Sequence, residues 1–306
     1  MQTILITGGT GLIGNRLVQM LTEKGWQVII LTRSLKGKKN TPNISYAVWD
    51  TKEQTIDIQA VQSADAVIHL AGAGVVDKRW THAYKQEIVD SRVLAGKLII
   101  DTLKKNTNKV KTIVSSSAIG WYGPDHLNAN PFVETDPHAN DFLGNTCFQW
   151  ERSIELATKM NIRVCKLRTG IVLSNEGGAL PEFKRPIKFG MAAILGNGRQ
   201  VISWIQIDDL CRMYIYALEN SSLTGSYNAV ASNPVTNKAL TLQLAKAMNG
   251  KFYLPMHVPA FALKLILGES SIEVLKSTTV SNEKIKAAGF KFLYSAVEEA
   301  IGSLLK

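Results

Sequence analysis

The sequence is poor in cysteine and has no apolar run long enough to cross a bilayer. Three cysteines occur in 306 residues, Cys147, Cys165 and Cys211, and their spacing matches no common metal-binding pattern. An odd number of cysteines without a pairing pattern is typical of a reducing compartment. Residues 258–268 are apolar but too few to span a membrane, and Lys264 interrupts them. We therefore expect a cytoplasmic protein without a metal site or membrane partner.

A glycine-rich turn follows the first predicted strand. The apolar run at residues 3–7 leads into glycines at positions 8, 11 and 14, after which apolar residues recur at helical spacing. A tight turn, a close approach to a pyrophosphate and the packing of a helix on a strand each exclude a Cβ atom. A purely structural turn is the alternative. The pattern predicts a dinucleotide site with contacts from Gly8, Thr10, Gly11, Leu12, Ile13 and Gly14.

Strands and helices alternate through the first half of the chain. Strands are predicted at residues 3–7, 27–32, 45–49, 66–70, 112–116 and 163–167, and helices at 81–105 and 147–160. This alternation indicates the α/β class, a Rossmann-type doubly wound parallel sheet. It fades after residue 168, where a smaller C-terminal, substrate-side lobe is expected. Apolar positions on the 81–105 helix suit either a dimer interface or burial against the sheet, so a homodimer stays open.

The second predicted strand lacks the acidic residue that an NAD site uses to hold the ribose 2′-hydroxyl. Arg33 and Ser34 stand there instead, and an arginine can pair with a 2′-phosphate. NADP is therefore favoured over NAD, with a solvated surface arginine as the alternative. Asp50, at the end of the third strand, either accepts from the adenine amino group or is an ordinary strand-end aspartate.

Small residues follow the fourth predicted strand, and the charge of the chain is basic. Leu70, Ala71 and Gly72 leave room for a cofactor across the sheet edge. The net charge of +10 suggests nucleic acid, but the basic residues are interspersed with acids. The one basic cluster, at residues 33–39, falls where a dinucleotide phosphate would lie. We expect no nucleic-acid partner.

Several motifs resemble those of the extended short-chain dehydrogenase/reductase superfamily. They are TGGTGLIG at residues 7–14, HLAG at 69–72, and SSSA at 115–118 with Tyr122 and Gly123. Further segments, at residues 150–151, 167–173, 196–200, 203–209 and 288–292, are similar to the group of NAD(P)-binding proteins called epimerase family proteins, some of which carry the name of a cell-division inhibitor. The resemblance implies an epimerase-like domain over residues 1–230, with a Rossmann core at about 1–168, and a family-specific domain over 250–304.

The Tyr-x-x-x-Lys dyad of that superfamily is missing. Its lysine lowers the tyrosine pKa so that the phenol can exchange a proton with substrate. Alignment on Glu151 places Leu143 at the tyrosine position and Cys147 at the lysine position. The resemblance implies that Ser115 lies at the cofactor and that Ser117 is the assisting serine. Tyr122 is a hypothetical alternative acid or, alternatively, an aromatic wall of the pocket.

A glycine-rich segment in the second half forms a candidate ligand surface. Gly190, Gly196 and Gly198 precede Arg199, Gln200 and Trp204, which would offer polar groups and an aromatic face. Core packing is the alternative for the tryptophans, and His69 is predicted to be a core histidine whose hydrogen bonds are satisfied. Helix capping would explain one aspartate of the pair at 208–209.

Two functions follow from this sequence. One is an NADP-dependent oxidoreductase or epimerase acting on an unidentified small polar or nucleotide-linked substrate. The other is a binding protein that senses the NADP(H) pool and has lost the chemistry, which the missing dyad favours. A nucleic-acid or envelope-associated regulator depends on the charge alone.

Overall fold

The computed structural model describes residues 2–127 and 130–305. Its centre is an eight-stranded sheet in the order β12-β7-β6-β5-β1-β2-β3-β4, in which only the β3–β4 pair is antiparallel. The strands are β1 Thr3–Thr7, β2 Gln27–Thr32, β3 Ile44–Asp50, β4 Thr55–Ile56, β5 Ala66–His69, β6 Thr112–Ala118, β7 Arg163–Thr169, β8 Ile171–Leu173, β9 Met191–Leu195, β10 Val201–Ile202, β11 Trp204–Gln206, β12 Gly225–Ala229, β13 Val235–Thr236 and β14 Leu254–Val258. The predicted doubly wound parallel sheet is confirmed.

Helices cover both faces of this sheet. They are α1 Leu12–Glu23, α2 Ile58–Ser63, α3 His82–Lys105, α4 Phe142–Glu155, α5 Ala179–Ile187, α6 Ile207–Glu219, α7 Asn237–Asn249, α8 Ala260–Leu267, α9 Ser271–Leu275, α10 Glu283–Ala287 and α11 Val297–Leu304. No helix in the described ranges has the length and apolarity needed to cross a membrane.

Alternation along each strand divides the core into two layers. Ile4 and Ile6 pack with α1 and α6, whereas Leu5 packs with α2, α3 and α4 on the opposite face. All three side chains are fully buried. Successive side chains at the carboxyl edge of the sheet therefore lie on opposite faces.

The lobe after residue 168 has its own apolar core, which includes Leu180, Trp204 and Leu244. It is joined to the sheet through Asp209 of α6, whose carboxylate accepts from the backbone N–H groups of Leu293 and Tyr294 at 2.9–3.0 Å. The capping interpretation of residues 208–209 is wrong, because the side chain of Gln206 caps α6 instead.

Helix α4 begins five residues before the predicted start at 147. Asp141 caps it by accepting from the backbone N–H of Gly144 at 2.7 Å. A Cβ on Gly144 would lie 2.1 Å from the carbonyl oxygen of Ala139, so a glycine is needed inside the first turn. A glycine lowers helix propensity, so the local pattern gives no signal for a helix start as early as residue 142.

Candidate functional site

The turn after β1 is built so closely that Gly14 has no room for a side chain. A Cβ on Gly14 would lie 2.2 Å from the carbonyl oxygen of Gly8 and 2.6 Å from Cα of Gly9, both backbone atoms. Gly8 has a φ of +70°. Gly11 precedes α1 and has no side chain to cap it. The first N–H groups of α1 are thus directed to the carboxyl edge of the sheet, where an anion can accept from them.

The side chain of Thr7 joins this turn to the segment after β5. Its Oγ1 accepts from the backbone N–H groups of Leu70 and Ala71 at 3.1 Å and lies 2.8 Å from Nδ1 of His69. A Cβ on Gly8 would lie 3.0 Å from the backbone nitrogen of Ala71. The predicted contact residues 8–14 and 70–72 therefore lie side by side, on the two strands between which the winding of the sheet reverses.

The lobe after residue 168 packs against the same turn. The side chain of Leu12 packs against the backbone at positions 177 and 178, where a Cβ on Gly178 would lie 3.3 Å from Cδ2 of Leu12. Thr10 and Gly11 are exposed, and Ile13 is half-buried. The glycine turn is thus open at its tip and covered at its flank by the lobe.

Arg33 and Ser34 lie exposed at the carboxyl end of β2. The hydroxyl of Ser34 accepts from the backbone N–H of Lys36 at 3.2 Å. Asp50 ends β3 beside them and accepts from the backbone N–H groups of Lys52 and Glu53. These two hydrogen bonds lower the pKa of Asp50, and the charge of Arg33 adds to them. An aspartate and an arginine therefore lie together at this edge.

The positions of the missing dyad lie inside the protein. Leu143 and Cys147 are 8% and 4% exposed, and a Cβ on Gly120 would contact both side chains. Burial raises the pKa of Cys147 to about 12, although the guanidinium of Arg92 acts in the opposite direction. This thiol is neutral at physiological pH and cannot supply the positive charge of a lysine.

Ser117 contributes to a buried ionic network around Glu151. Its hydroxyl donates to Oε1 of Glu151 at 2.8 Å, and Arg168 donates to both carboxylate oxygens at 2.8 and 3.2 Å. Ser226 donates to the same carboxylate. Burial alone would raise the pKa of Glu151, but the hydrogen bonds and charge of Arg168, with that of Lys166, hold it below its ordinary value. The carboxylate is ionised and fully engaged.

Tyr122 belongs to the same network. Its hydroxyl donates to Oδ1 of Asn228 at 2.6 Å and accepts from Nη1 of Arg168 at 3.0 Å, while its ring stacks on Phe132. The side chain is 3% exposed, and burial raises its pKa to about 12. Proton exchange with a substrate would require these bonds to break, so the catalytic roles of Ser117 and Tyr122 stay predictions.

Ser115 and His69 lie side by side on neighbouring strands, paired in the β5–β6 register. Ser115 is buried and donates to the carbonyl oxygen of Ser116 at 3.0 Å. His69 is fully buried, as expected of a core histidine, and burial lowers its pKa to about 4. Its Nδ1 is bonded to Thr7, but its Nε2 has no hydrogen-bond partner among the described residues.

The glycine-rich segment of the lobe is more internal than its composition suggested. Gln200 is buried and donates to the carbonyl oxygens of Leu195 and Val274, and fully buried Trp204 donates to that of Asn233. Arg199 alone of the three predicted ligand-surface side chains is exposed. Core packing therefore describes Trp204, and the polar surface is reduced to Arg199.

Sequence reasoning missed Arg92 of α3, which lies beneath Gly72. A Cβ on Gly72 would lie 2.9 Å from Cζ of this arginine. Arg92 shares the buried stripe of α3 with Ile88, Ala95 and Ile99, and a charged residue on an apolar stripe was the signal available in the sequence.

The model of the NAD dependent epimerase/dehydratase family matches residues 4–230, and that of a domain of unknown function, DUF1731, matches residues 258–304. The chain belongs to the NAD-dependent epimerase/dehydratase family. Epimerase family protein SA0724 of Staphylococcus aureus (strain N315) is 36% identical to it over the full length of both chains. The resemblance stated from the motifs is thus confirmed, together with NAD(P) as the cofactor type of the family.

Two solved structures extend this comparison. The human epimerase family protein SDR39U1, crystallised with NADPH, is 26% identical, with a TM-score of 0.86 over 99% of this chain and 98% of that one. The nucleoside-diphosphate sugar epimerase of Corynebacterium glutamicum is 30% identical, with a TM-score of 0.78 over 99% of this chain and 58% of that one. Both share the fold of this family member.

Proposed function

We propose that this member of the epimerase/dehydratase family is an NADP-dependent oxidoreductase or epimerase-like enzyme. Its substrate would be a small polar or nucleotide-linked molecule. Arg33 carries this proposal, since it is an exposed guanidinium at the end of β2, where an NAD site has a carboxylate. The human relative crystallised with NADPH and the nucleoside-diphosphate sugar epimerase support the cofactor and the substrate class respectively.

The residues at the carboxyl edge fit a dinucleotide. The turn at Gly8 and Gly14 has no room for a Cβ, and the uncapped start of α1 offers backbone N–H groups to a pyrophosphate. Arg33 would pair with the 2′-phosphate, with Ser34 as a further donor. Asp50 would accept from the adenine amino group. The segment at 70–72 would support the cofactor where it crosses from β1 to β5.

Bound NADP would supply a hydride donor or acceptor, and the protein must then position a substrate and handle a proton. Leu143 and Cys147 cannot transfer that proton, because one has no ionisable group and the other is a buried neutral thiol. Ser117 and Tyr122 are committed to Glu151, Asn228 and Arg168. A reaction at this site would therefore use a proton carried by the substrate or by water unless the network opens.

The same observations support a second candidate function, an NADP(H)-sensing binding protein. Every side chain that sequence reasoning assigned to proton transfer is buried and hydrogen-bonded. Stereospecific hydride transfer between the cofactor and any cellular small molecule would support the enzyme. A partner protein that binds only one redox form of the loaded chain, with no hydride transfer, would support the sensor.

The first experiment is a calorimetric titration of cofactor-stripped protein with NADP and with NAD at identical salt. We expect NADP to bind more tightly, and Arg33→Ala to weaken NADP binding about 10- to 100-fold with little effect on NAD, since charge-assisted hydrogen bonds to the 2′-phosphate are lost. Lys105→Gln, an exposed change at the far end of α3, is the matched control.

A second variant tests the glycine turn itself. Gly14→Ala should abolish binding of both dinucleotides, because its Cβ meets backbone atoms at 2.2 Å, while Gly302→Ala, which meets nothing within 4 Å, should bind as the wild type does. Equal affinity of the wild type for NAD and NADP would contradict the role of Arg33. Binding of neither would overturn the dinucleotide site and both candidate functions.

A further inference from the structure

Arg92 is a buried guanidinium without a carboxylate. It is 8% exposed, and within the described ranges no acidic side chain forms an ion pair with it. Its Nη1 donates to the carbonyl oxygen of Ile88 on its own helix at 2.8 Å, and its guanidinium lies 4.8 Å from the ring centroid of Trp150. An arginine stays protonated when buried, so this charge is permanent and has no counter-charge beside it.

The surroundings of Arg92 leave two more polar atoms without partners. Nε2 of His69 and Nε1 of Trp150 are buried, and neither forms a hydrogen bond of ordinary length and angle in the described part of the chain, although the backbone of Arg92 lies close enough to the His69 ring to raise its pKa against the effect of burial. The two rings meet edge to face with centroids 6.4 Å apart. His69 is neutral at physiological pH because burial lowers its pKa. The cluster of His69, Arg92, Cys147 and Trp150 therefore holds one positive charge and nothing that neutralises it.

This cluster lies beneath the half of the sheet that would carry the nicotinamide. In a doubly wound sheet the two halves of a dinucleotide lie on opposite sides of the reversal point, which is between β1 and β5. Arg33 and Asp50 belong to the β2–β3 side, where the adenosine would lie. Gly72 follows β5 on the other side, and it is exposed on its outer surface with Cζ of Arg92 directly behind it.

Arg92 also supplies a positive charge near the position where the superfamily has the lysine of its dyad. The lysine position of the missing dyad is Cys147, a buried side chain from α4, and Arg92 is the positive group that lowers the pKa of this thiol most strongly against the effect of burial. The positive charge at this place therefore comes from α3 instead of α4. Unlike a lysine four residues after a tyrosine, it has no phenol at position 143 on which to act.

We propose that Arg92 sets a preference for the reduced cofactor. Oxidation places a positive charge on the nicotinamide ring, whereas the reduced ring is neutral, so a fixed cation beneath Gly72 disfavours only the oxidised form. At separations of about 10 Å and an effective dielectric constant of about 20, this repulsion corresponds to roughly a 10-fold difference in affinity. The inference depends on the dinucleotide site of the proposed function, but not on whether that dinucleotide is NADP or NAD.

The test is the ratio of the dissociation constants for the oxidised and reduced forms of one dinucleotide, measured by calorimetry. We expect the wild type to bind NADPH about 10-fold more tightly than NADP⁺. Arg92→Met removes the charge but keeps an unbranched apolar side chain, and it should bring the ratio close to one, as should Arg92→Gln. Arg92→Lys should retain the preference. Arg152→Met, an exposed arginine of α4 beside Phe148, is the matched control.

Each outcome separates a role in redox preference from a structural one. An arginine that only supports Gly72, or that contacts a phosphate, would weaken both forms equally when replaced, and an unchanged ratio would overturn the inference. Equal affinity of the wild type for both forms would overturn it without any variant, even where the Arg92 variants do not fold. If the wild type binds neither form, the proposed function fails and this inference with it.

Discussion

Within the described part of the chain, two arginines on the same side of the sheet are buried, and their hydrogen-bond and charge partners differ. Arg168 has a bidentate pair with Glu151, a tyrosine hydroxyl and a carbonyl oxygen as partners, and lies 3.7 Å from the centroid of Trp121. Arg92 has one carbonyl oxygen of its own helix and the face of Trp150. Both are less than 10% exposed.

The charge of Arg168 is neutralised by an ion pair among the described residues, whereas the charge of Arg92 is not. A hydrogen-bonded ionic network rigidifies the strands that supply it, here β6, β7 and β12. The cluster at Arg92 has an uncompensated charge and two unpaired polar atoms next to the candidate cofactor segment. Buried polar groups without partners are rare in proteins, and a functional role is one of the reasons for which they are retained.

The largest effect is expected from breaking the ionic network of Glu151 and Arg168. Glu151→Gln leaves Arg168 buried without its counter-charge and should lower the free energy of unfolding by about 3 to 5 kcal/mol. Glu155→Gln is the matched control, since Glu155 is half-exposed and pairs with Lys166 at 2.7 Å, and it should cost at most about 1 kcal/mol. Urea denaturation of both variants measures the difference. Similar losses for the two would mean that the network around Arg168 does not stabilise the fold.

The next effect concerns His69 in the cluster with Arg92, and it depends on pH. The pKa of His69 is about 4 in the folded protein against 6.5 for an ordinary histidine. The unfolded chain thus binds the extra proton first, so the stability that the neutral His69 contributes is complete above about pH 6.5 and is lost as the pH falls towards 4. The loss should reach about 3 kcal/mol.

The measurement is the free energy of unfolding between about pH 4 and 8 for the wild type and His69→Asn. The variant should lack the part of the pH dependence that lies between 6.5 and 4, while His82→Asn, an exposed histidine at the start of α3, should follow the wild type. Parallel curves for all three proteins would show that the pKa of His69 is the same in the folded and unfolded states. The cluster with Arg92 would then be more accessible to water than its burial indicates.

Local periodicity was enough for the sheet and the glycine turn, but not for the two arginine regions. The bounds of β1 and β2 agree with the sequence prediction because strand, turn and helix signals are all local there. The pairing of Glu151 with Arg168 joins a helix to a strand, and no spacing rule connects them. The glycine at position 144 is required inside α4 by a tertiary contact with Ala139, which no local pattern shows.

The sequence already contains a signal for Arg92, which is a charged residue on the apolar face of α3. Its neighbours on the helix face are Ile88, Ala95 and Ile99, all buried, so a charge at this position contradicts the apolar pattern. Such a contradiction between local pattern and residue type is expected at functional positions. Which group lies across from it, Gly72, depends on the crossover from β5 to α3 and becomes visible only in the structure.

The smallest effect tests whether the only role of Tyr122 is to stabilise the ionic network of Glu151 and Arg168. Tyr122→Phe removes the hydroxyl between Asn228 and Arg168 but keeps the Glu151 pair, so it should cost about 1 to 2 kcal/mol of stability. Tyr253→Phe, a half-buried tyrosine of the second lobe, should cost less than about 0.5 kcal/mol. Cofactor affinity and the preference for its reduced form should stay unchanged, because the hydroxyl contacts no residue of the Arg92 cluster. A variant that keeps wild-type stability but loses hydride transfer to a substrate would instead make Tyr122 a proton donor and place the chemistry inside the Arg168 network.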